Sequence, residues 1–449
     1  MALIVLNCVG LTPRHLGPHT PNLSRLAADG FSAPLQPVLP AVTTSTQTSM
    51  LTGTLPQEHG IVGNGWYFRE LGEVWLWRQS RGLVQRPAAW PAGTRVLNHF
   101  WWYAMNAPEF TASVTPRPVY HHDGRKSPDI YTFPGSLKQT LVERHGVFPL
   151  FNFWGPLADI RSTRWIAESF VTAFAATMPQ LALCYLPHLD YDLQRFGPEG
   201  EHLEGNLRAL DHEAGKVIAA AQQRGAEVLV VSEYGITAVT HGVYINRALR
   251  QAGLLAVSTN AAGELLDPGA SRAFAVCDHQ MAHVYVREPA DLPLVRRLLE
   301  GLDGIERVYA LAERQEIGLD HARSGELIAI SAATRWFTYD YWLDDALKPD
   351  FAQAVEIHKK PGYDPRELLF DPRGGKRRAG LALLRKKLGL RYLLNPCPLD
   401  DRLIKGSHGR ATDDVLDGPL VIGPRAWQRD TWHHRDIAGV IATAVAASR

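Results

Sequence analysis

Residues 181–192 of the chain read LALCYLPHLDYD, six apolar residues followed by a polar turn. A continuous apolar run of this length is typical of a strand that is buried on both faces, as in a parallel sheet. Two further runs, Ala2–Leu6 and Val228–Val231, have the same character, and apolar residues keep helical spacing from Leu203 to Ala221. Because strands and helices alternate, the sequence predicts an α/β fold with a mostly parallel central sheet flanked by helices.

The composition excludes several classes of protein. The 449 residues include 47 Lys+Arg and 46 Asp+Glu, so a net charge of +1 directs the chain neither to nucleic acid nor to an anionic membrane. The chain contains no apolar run of about 18 residues, as a membrane span would need, and its N-terminus lacks a signal-peptide pattern. The four cysteines show no C-x-x-C pairing. We therefore expect a soluble, cytoplasmic protein with no nucleic-acid polymer or membrane as partner; its oligomeric state stays open.

We predict one domain over residues 1–449, with residues 88–156 as an inserted subdomain that caps one edge of the sheet. That stretch is rich in aromatic residues and proline and shows weak periodicity. Its turn at Tyr120–Lys126 could contact an anionic or aromatic group, although a solvated polar turn is the simpler interpretation. The basic run from Arg373 to Lys387 is likewise interpreted as a solvated face, with weaker support for a phosphate-facing role.

Polar side chains follow the three apolar runs where each predicted strand ends. They are Asn7 after the first run, His188, Asp190 and Asp192 after the second, and Glu233 and Tyr234 after the third. Ligands of open parallel sheets bind beyond the carboxyl ends of the strands. Carboxylates that recur at this edge favour a cation site, and helix capping after each strand is the alternative.

Several segments together resemble one family. They are TPNL at 20–23 with Leu26 and Gly30, Thr43 ten residues before Gly53, PQEHGIVGN at 56–64, YLPHLDYDLQRFGP at 185–198, SEYGI at 232–236 and GSHG at 406–409. In this order they resemble the type I phosphodiesterase/nucleotide pyrophosphatase family of the alkaline phosphatase superfamily.

The resemblance implies an alkaline phosphatase-like α/β sandwich and a metal-dependent hydrolase of a small phosphodiester, phosphate monoester or phosphonate. In such enzymes two Zn²⁺ ions hold the phosphoryl group, and a Thr hydroxyl, activated by metal coordination, attacks phosphorus. Carried over by position, Thr43 is the nucleophile, Asn64 the donor to a phosphate oxygen, and Asp190 and His408 are metal ligands.

Four other ligand positions depart from the family pattern. Asn7 stands in place of Asp, Gln194 in place of His, and Glu233-Tyr234 in place of an Asp-His pair. Oxygen donors replace nitrogen, which favours Mg²⁺, Mn²⁺ or Ca²⁺ over Zn²⁺ and leaves the number of ions open. His188 is a candidate replacement ligand, because on an extended segment it points the same way as Asp190.

Two hypotheses from different classes follow. The first is a metal-dependent hydrolase with a Thr nucleophile, and the second is a catalytically silent relative that binds a phosphorylated ligand or a protein partner. The altered ligands favour the second hypothesis, whereas Thr43, Asn64, Asp190 and His408 favour the first. Neither a P-loop nor a dinucleotide-binding glycine pattern is present in the sequence.

Overall fold

The computed structural model describes residues 2–122 and 125–447. Asp123 and Gly124 of the Tyr120–Lys126 turn lie outside the described residues. The strands, in chain order, are β1 (Leu3–Cys8), β2 (Phe31–Pro34), β3 (Gly65–Phe68), β4 (Glu73–Leu76), β5 (Val96–His99), β6 (Ala112–Pro116), β7 (Val119–Tyr120), β8 (Lys126–Ser127), β9 (Ile130–Phe133), β10 (Leu181–Leu186), β11 (Glu227–Val231), β12 (Thr237–Ala238), β13 (His241–Val243), β14 (Val257–Asn260), β15 (Gly263–Leu266), β16 (Ala273–Asp278), β17 (Met281–Val286), β18 (Ile305–Ala310), β19 (Leu327–Ser331), β20 (Arg335–Phe337), β21 (Gly406–Ser407) and β22 (Leu420–Gly423).

The helices alternate with many of these strands. In chain order they are α1 (Pro21–Asp29), α2 (Thr43–Thr52), α3 (Pro56–His59), α4 (Ser136–His145), α5 (Ile160–Thr177), α6 (His188–Phe196), α7 (Glu201–Gln222), α8 (Ile245–Gln251), α9 (Leu292–Glu300), α10 (Gly375–Lys387) and α11 (Asp436–Ala447).

Eight strands form the central sheet in the order β2-β22-β11-β1-β10-β5-β6-β9. The strands from β11 to β6 are parallel, while β22 and β9 run antiparallel to their neighbours. Every side chain of β1 and β10 is buried, because α5 and α7 pack on one face and α11 packs with α2 on the other. The predicted α/β fold with a mostly parallel sheet is therefore confirmed.

Residues 88–156, which the sequence predicts to be an inserted cap, also contribute to the central sheet. They supply β5, β6 and β9, which complete one end of the central sheet. These strands have only four or five residues each, and such short runs give too few alternations to stand out among prolines and aromatic residues.

A second sheet, which the sequence analysis missed, consists of four antiparallel strands in the order β16-β17-β19-β18. It has its own hydrophobic cluster with α8 and α9. The end of β16 brings Asp278 toward the carboxyl edge of the central sheet, where it bonds to Asn64. Across residues 2–122 and 125–447, the helices are too short or too polar to cross a membrane.

Candidate active site

The carboxyl ends of β1, β10 and β11 lie side by side because the three strands are paired in parallel. Asn7 of β1 is in register with Tyr185 of β10 and Val231 of β11. The residues that follow β10 and β11 therefore emerge beside Asn7, which places Asp190 and Glu233 at one edge of the sheet. The predicted gathering of polar strand ends at one edge is observed.

Thr43 is the first residue of α2 and connects to this edge through a tyrosine. Its Oγ1 lies 3.3 Å from the Oη of Tyr234, and that phenol donates to Oδ1 of Asp190 at 3.0 Å. Gln194 donates to Oδ2 of the same carboxylate at 2.9 Å. Burial raises the pKa of Asp190 to about 7, although the hydrogen bonds from Tyr234 and Gln194 oppose the shift. Thr43, Tyr234 and Asp190 thus form one hydrogen-bonded chain.

Glu233 is held by two amides on the other side of Thr43. Its Oε1 accepts hydrogen bonds from Asn7 at 2.6 Å and from Gln47 at 2.7 Å. Burial raises the pKa of Glu233 to about 8, although the hydrogen bonds from Gln47 and Asn7 oppose the shift. The sequence analysis missed Gln47, although its position four residues after Thr43 puts both side chains on one face of a helix.

Asn64 is fixed in place by its neighbours on both sides of its amide. Its Oδ1 accepts from the backbone N–H of Thr44 at 3.2 Å, and its Nδ2 donates to Oδ1 of Asp278 at 3.1 Å. The backbone N–H of Asn64 also donates to Asp278, at 2.8 Å to Oδ2. Asp278, at the end of β16, is therefore a positioning residue for Asn64.

His408 belongs to a buried column of four aromatic rings. Tyr234 stacks on its imidazole at 3.5 Å, His279 lies on the other side at 3.7 Å, and Tyr363 stacks on His279 at 3.6 Å between centroids. His408 Nδ1 donates to the carbonyl of Ala41 at 2.8 Å, which leaves Nε2 as the lone-pair atom, 3.7 Å from Oδ1 of Asp190. Burial, with the neighbouring His279, keeps the pKa of His408 far below its usual value, so the ring is neutral.

His188 does not join Asp190 as the sequence analysis expected. The residues after β10 turn directly into α6, so the segment is helical and not extended. Side chains two positions apart on a helix are rotated by about 200° about the helix axis, so they point to nearly opposite sides of it. Burial lowers the pKa of His188 to about 4, and nearby charges that act on it belong to Asp192, Asp159 and Arg195.

The donor set was tested against the ions that the resemblance implies. Asn7 Oδ1, Glu233 Oε2 and His408 Nε2 are buried atoms with free lone pairs and no hydrogen-bond partner among the described residues. Such atoms are rare in folded proteins unless an ion, ligand or water satisfies them. In the described ranges, no three His, Cys, Asp or Glu side chains are grouped to hold a metal ion. The free oxygens of Asn7 and Glu233 suit an oxygen-preferring cation, whereas the described residues do not gather the ligands that a pair of zinc ions would need.

The fold and this edge of the sheet are those of an α/β protein with a polar site beyond the carboxyl ends of its parallel strands. The family model for type I phosphodiesterase/nucleotide pyrophosphatase matches residues 3–364, so the chain belongs to that family. An uncharacterized pyrophosphatase/phosphodiesterase of Schizosaccharomyces pombe is 25% identical over 230 residues. That alignment covers 48% of this chain and 41% of the relative's length.

Two solved structures share the fold over 99% of this chain and 95% of their own. Phosphonoacetate hydrolase from Sinorhizobium meliloti 1021, in complex with phosphonoformate, superposes with a TM-score of 0.61 at 14% identity. Murine ectonucleotide pyrophosphatase/phosphodiesterase 5 superposes with the same score at 12% identity, and an inactive variant of it was solved in complex with AMP.

Proposed function

We propose that the protein hydrolyses a small phosphodiester, phosphate monoester or phosphonate with Thr43 as the nucleophile. The chain from Thr43 through Tyr234 to Asp190, with oxygen–oxygen distances of 3.3 and 3.0 Å, is the observation that supports this most directly. A free hydroxyl is a weak nucleophile at neutral pH and needs a group that takes its proton. In this site that group is the Tyr234–Asp190 pair.

The proton follows the hydrogen bonds. As Thr43 Oγ1 bonds to phosphorus, its proton moves to Tyr234 Oη, and the phenolic proton moves to Asp190 Oδ1 as the bond from phosphorus to the leaving atom breaks. Burial and the nearby carboxylates keep the pKa of Tyr234 well above its usual value, so the phenol passes protons without remaining ionised. An Asp190 pKa of about 7 suits a base that works near neutral pH. Water then hydrolyses the phosphothreonine.

The phosphoryl oxygens need positive or donor groups on the side away from Tyr234. Asn64 Nδ2 carries a second hydrogen beyond the one it gives Asp278, and we assign it to a phosphoryl oxygen. Asn7 and Glu233, whose side chains meet at 2.6 Å, each keep one oxygen with free lone pairs, and these oxygens would hold a divalent cation. When bound, such an ion would supply positive charge next to the phosphoryl group.

The rim of the site is aromatic, which suits a substrate with an aromatic or apolar leaving group. Trp77 and Trp102 lie 4.9 Å apart, and Trp77 and Trp154 lie 6.3 and 5.7 Å from Tyr363, measured between ring centroids. All three tryptophans are half-buried. An inactive variant of murine ectonucleotide pyrophosphatase/phosphodiesterase 5, which shares this fold, was solved with AMP. Nucleotide esters are therefore the first substrates to assay.

A second candidate function is binding without catalysis. Both oxygens of Asp190 already accept hydrogen bonds from neutral donors, Tyr234 and Gln194, and Thr43 is only 4% exposed. A site closed in this way could hold a phosphorylated ligand or a protein partner without turning a substrate over.

The test separates the two candidates on one preparation. Protein treated with a chelator is assayed on bis(p-nitrophenyl) phosphate, p-nitrophenyl phosphate and a p-nitrophenyl phosphonate, with Mg²⁺, Mn²⁺, Ca²⁺ or Zn²⁺ restored singly. Hydrolysis that requires Thr43 supports the proposal. Binding of AMP by calorimetry, with no hydrolysis under any ion, would replace it with the silent binder.

We also propose that the protein acts in the cytoplasm. Its four cysteines are free and buried, which is common where thiols stay reduced. Fractionation of cells that express the tagged protein tests this, and recovery from the extracellular medium would contradict it.

A further inference from the structure

A leucine-rich face of α10 is exposed. Ala382, near the middle of the helix, is buried against the body of the protein. Leu381, Leu384 and Leu388 recur at helical spacing on the opposite side and are 59%, 53% and 65% exposed. Further exposed leucines lie nearby, at positions Leu383, Leu390, Leu393 and Leu394. Contiguous exposed apolar side chains of this kind mark an interaction surface.

The same segment carries a concentrated positive charge. Between Arg373 and Leu394 the sequence holds eight basic residues and no acidic residue: Arg373, Lys376, Arg377, Arg378, Arg385, Lys386, Lys387 and Arg391. Among the residues that the structure describes, only Arg378 of these eight forms an ion pair, with Asp371 at 2.6 Å. This local excess contrasts with the whole-chain net charge of +1.

α10 is anchored to the protein before any partner binds. Arg378 joins the helix to Asp371 and, at 3.2 Å, to the carbonyl of Asn395. Gly375 packs so closely on Pro396 that an added Cβ would lie 2.4 Å from its carbonyl oxygen. The leucine face is therefore held outward on an ordered helix, and little conformational entropy is lost when it binds a surface.

We propose that residues 373–394, the α10 segment, dock the protein on an anionic lipid surface. Leu381, Leu384 and Leu388 would enter the boundary between headgroups and acyl chains, and the Lys and Arg side chains would contact lipid phosphates. The segment lies on the bilayer and does not cross it. The sequence alone favours a solvated face for this basic run and no membrane partner; the exposed leucines on its outer face are the reason for the different conclusion. This inference does not depend on the proposed hydrolysis.

Other occupants fit the observations less well. A second copy on the leucine face would bring two +8 segments together, with strong repulsion. Nucleic acid would use the charges but leave the leucines in water. An acidic, apolar protein surface is the remaining alternative, and it becomes an outcome of the test.

The test is flotation of the full chain with phosphatidylcholine vesicles, with and without phosphatidylglycerol. Wild type should bind the anionic vesicles, and binding should fall as salt is raised. R385Q/K386Q/K387Q should weaken binding roughly 100-fold, because each basic residue near the surface contributes about fivefold. L381S/L384S/L388S should weaken it at least tenfold. L311S/L343S/L347S, which alters leucines that are 48%, 50% and 44% exposed elsewhere, should bind like wild type.

Circular dichroism and thermal melting show that each variant is folded. The proposal is overturned if wild type fails to bind anionic vesicles or binds neutral ones equally well. It is also overturned if both α10 variants bind anionic vesicles as tightly as wild type. Light scattering that shows a dimer in wild type and a monomer in L381S/L384S/L388S would assign the face to self-association. Binding to an acidic protein without binding to vesicles would assign it to a protein partner.

Discussion

Thr43 and Thr46 are two buried threonines on one helix with different surroundings. The Thr43 hydroxyl contacts Tyr234, whereas Thr46 Oγ1 has no hydrogen-bond partner among the described residues. Thr44 is a poorer control, because its hydroxyl donates to the carbonyl of Gly63 at 2.7 Å and its backbone holds Asn64. Thr43→Val should abolish turnover, Thr43→Ser should retain part of it, and Thr46→Val should change kcat little. Steady-state kinetics measure this, and equal rates for the two valine variants would exclude Thr43 as nucleophile.

Tyr234 and Tyr363 provide a matched pair for the proton relay. Tyr234→Phe keeps the ring that stacks on His408 and removes the hydroxyl between Thr43 and Asp190. We expect kcat to fall by about 10²–10⁴-fold, the usual contribution of general base catalysis. Tyr363→Phe likewise keeps its stack on His279 and loses only its bond to Gln194, so its kcat should fall much less. Equal effects of the two changes would contradict the relay.

At the scale of elements, one buried ionic cluster fixes the segment that carries Tyr363. Lys360 contacts Asp364 at 2.9 Å and Glu367 at 2.8 Å, and Arg366 contacts Asp340 at 2.6 Å. All five side chains are at most 2% exposed. Removal of one charge from such a cluster leaves its partner buried and uncompensated.

Lys360→Met should therefore lower the free energy of unfolding by about 3–5 kcal/mol. Arg402→Met, which breaks the exposed pair with Asp400, should cost at most about 1 kcal/mol. Urea denaturation measures both values. A Lys360→Met variant as stable as wild type would show that the cluster contributes no net stability.

The cluster also predicts a pH dependence. Burial alone would raise the pKa of Asp364, but the charges of Arg366 and Lys360 outweigh it and hold the pKa below its ordinary value. A depressed carboxylate pKa stabilises the fold above the unfolded pKa of about 3.9, and this contribution is lost as pH falls through the folded value. The stability difference between wild type and Asp364→Asn should hence shrink below about pH 4. A difference that stays constant down to pH 3 would contradict the assignment.

At the scale of the whole molecule, cation binding should appear as stability. An ion that binds only the folded chain raises the free energy of unfolding of the protein by about 2.7 kcal/mol when the ion concentration is 100 times the dissociation constant. Mn²⁺ or Mg²⁺ should raise the melting temperature of chelator-treated protein more than Zn²⁺ does. Glu233→Gln keeps the side chain's shape but removes the carboxyl group that can ionise to hold a cation, so the shift should disappear in this variant. A shift of equal size in Glu233→Gln would place the ion elsewhere.

Local sequence by itself determined the framework of this protein. The apolar runs of β1, β10 and β11 and the helical spacing of α7 are signals contained in adjacent residues, and they were sufficient to predict the sheet and the gathering of polar strand ends at its edge. β1 pairs in parallel with both β10 and β11, and this pairing brings the three carboxyl ends together wherever the intervening chain runs.

Only the tertiary structure decided which side chains meet at that edge. Asp278 reaches Asn64 across 214 positions, and Tyr363 reaches Gln194 across 169. No local pattern carries information about such pairs. For His188 the local pattern was misleading. Its spacing from Asp190 predicts that both side chains point the same way only if the segment is extended, but the segment is the start of a helix. The fold followed from short-range periodicity, whereas the site depends on contacts between distant segments that close packing alone brings together.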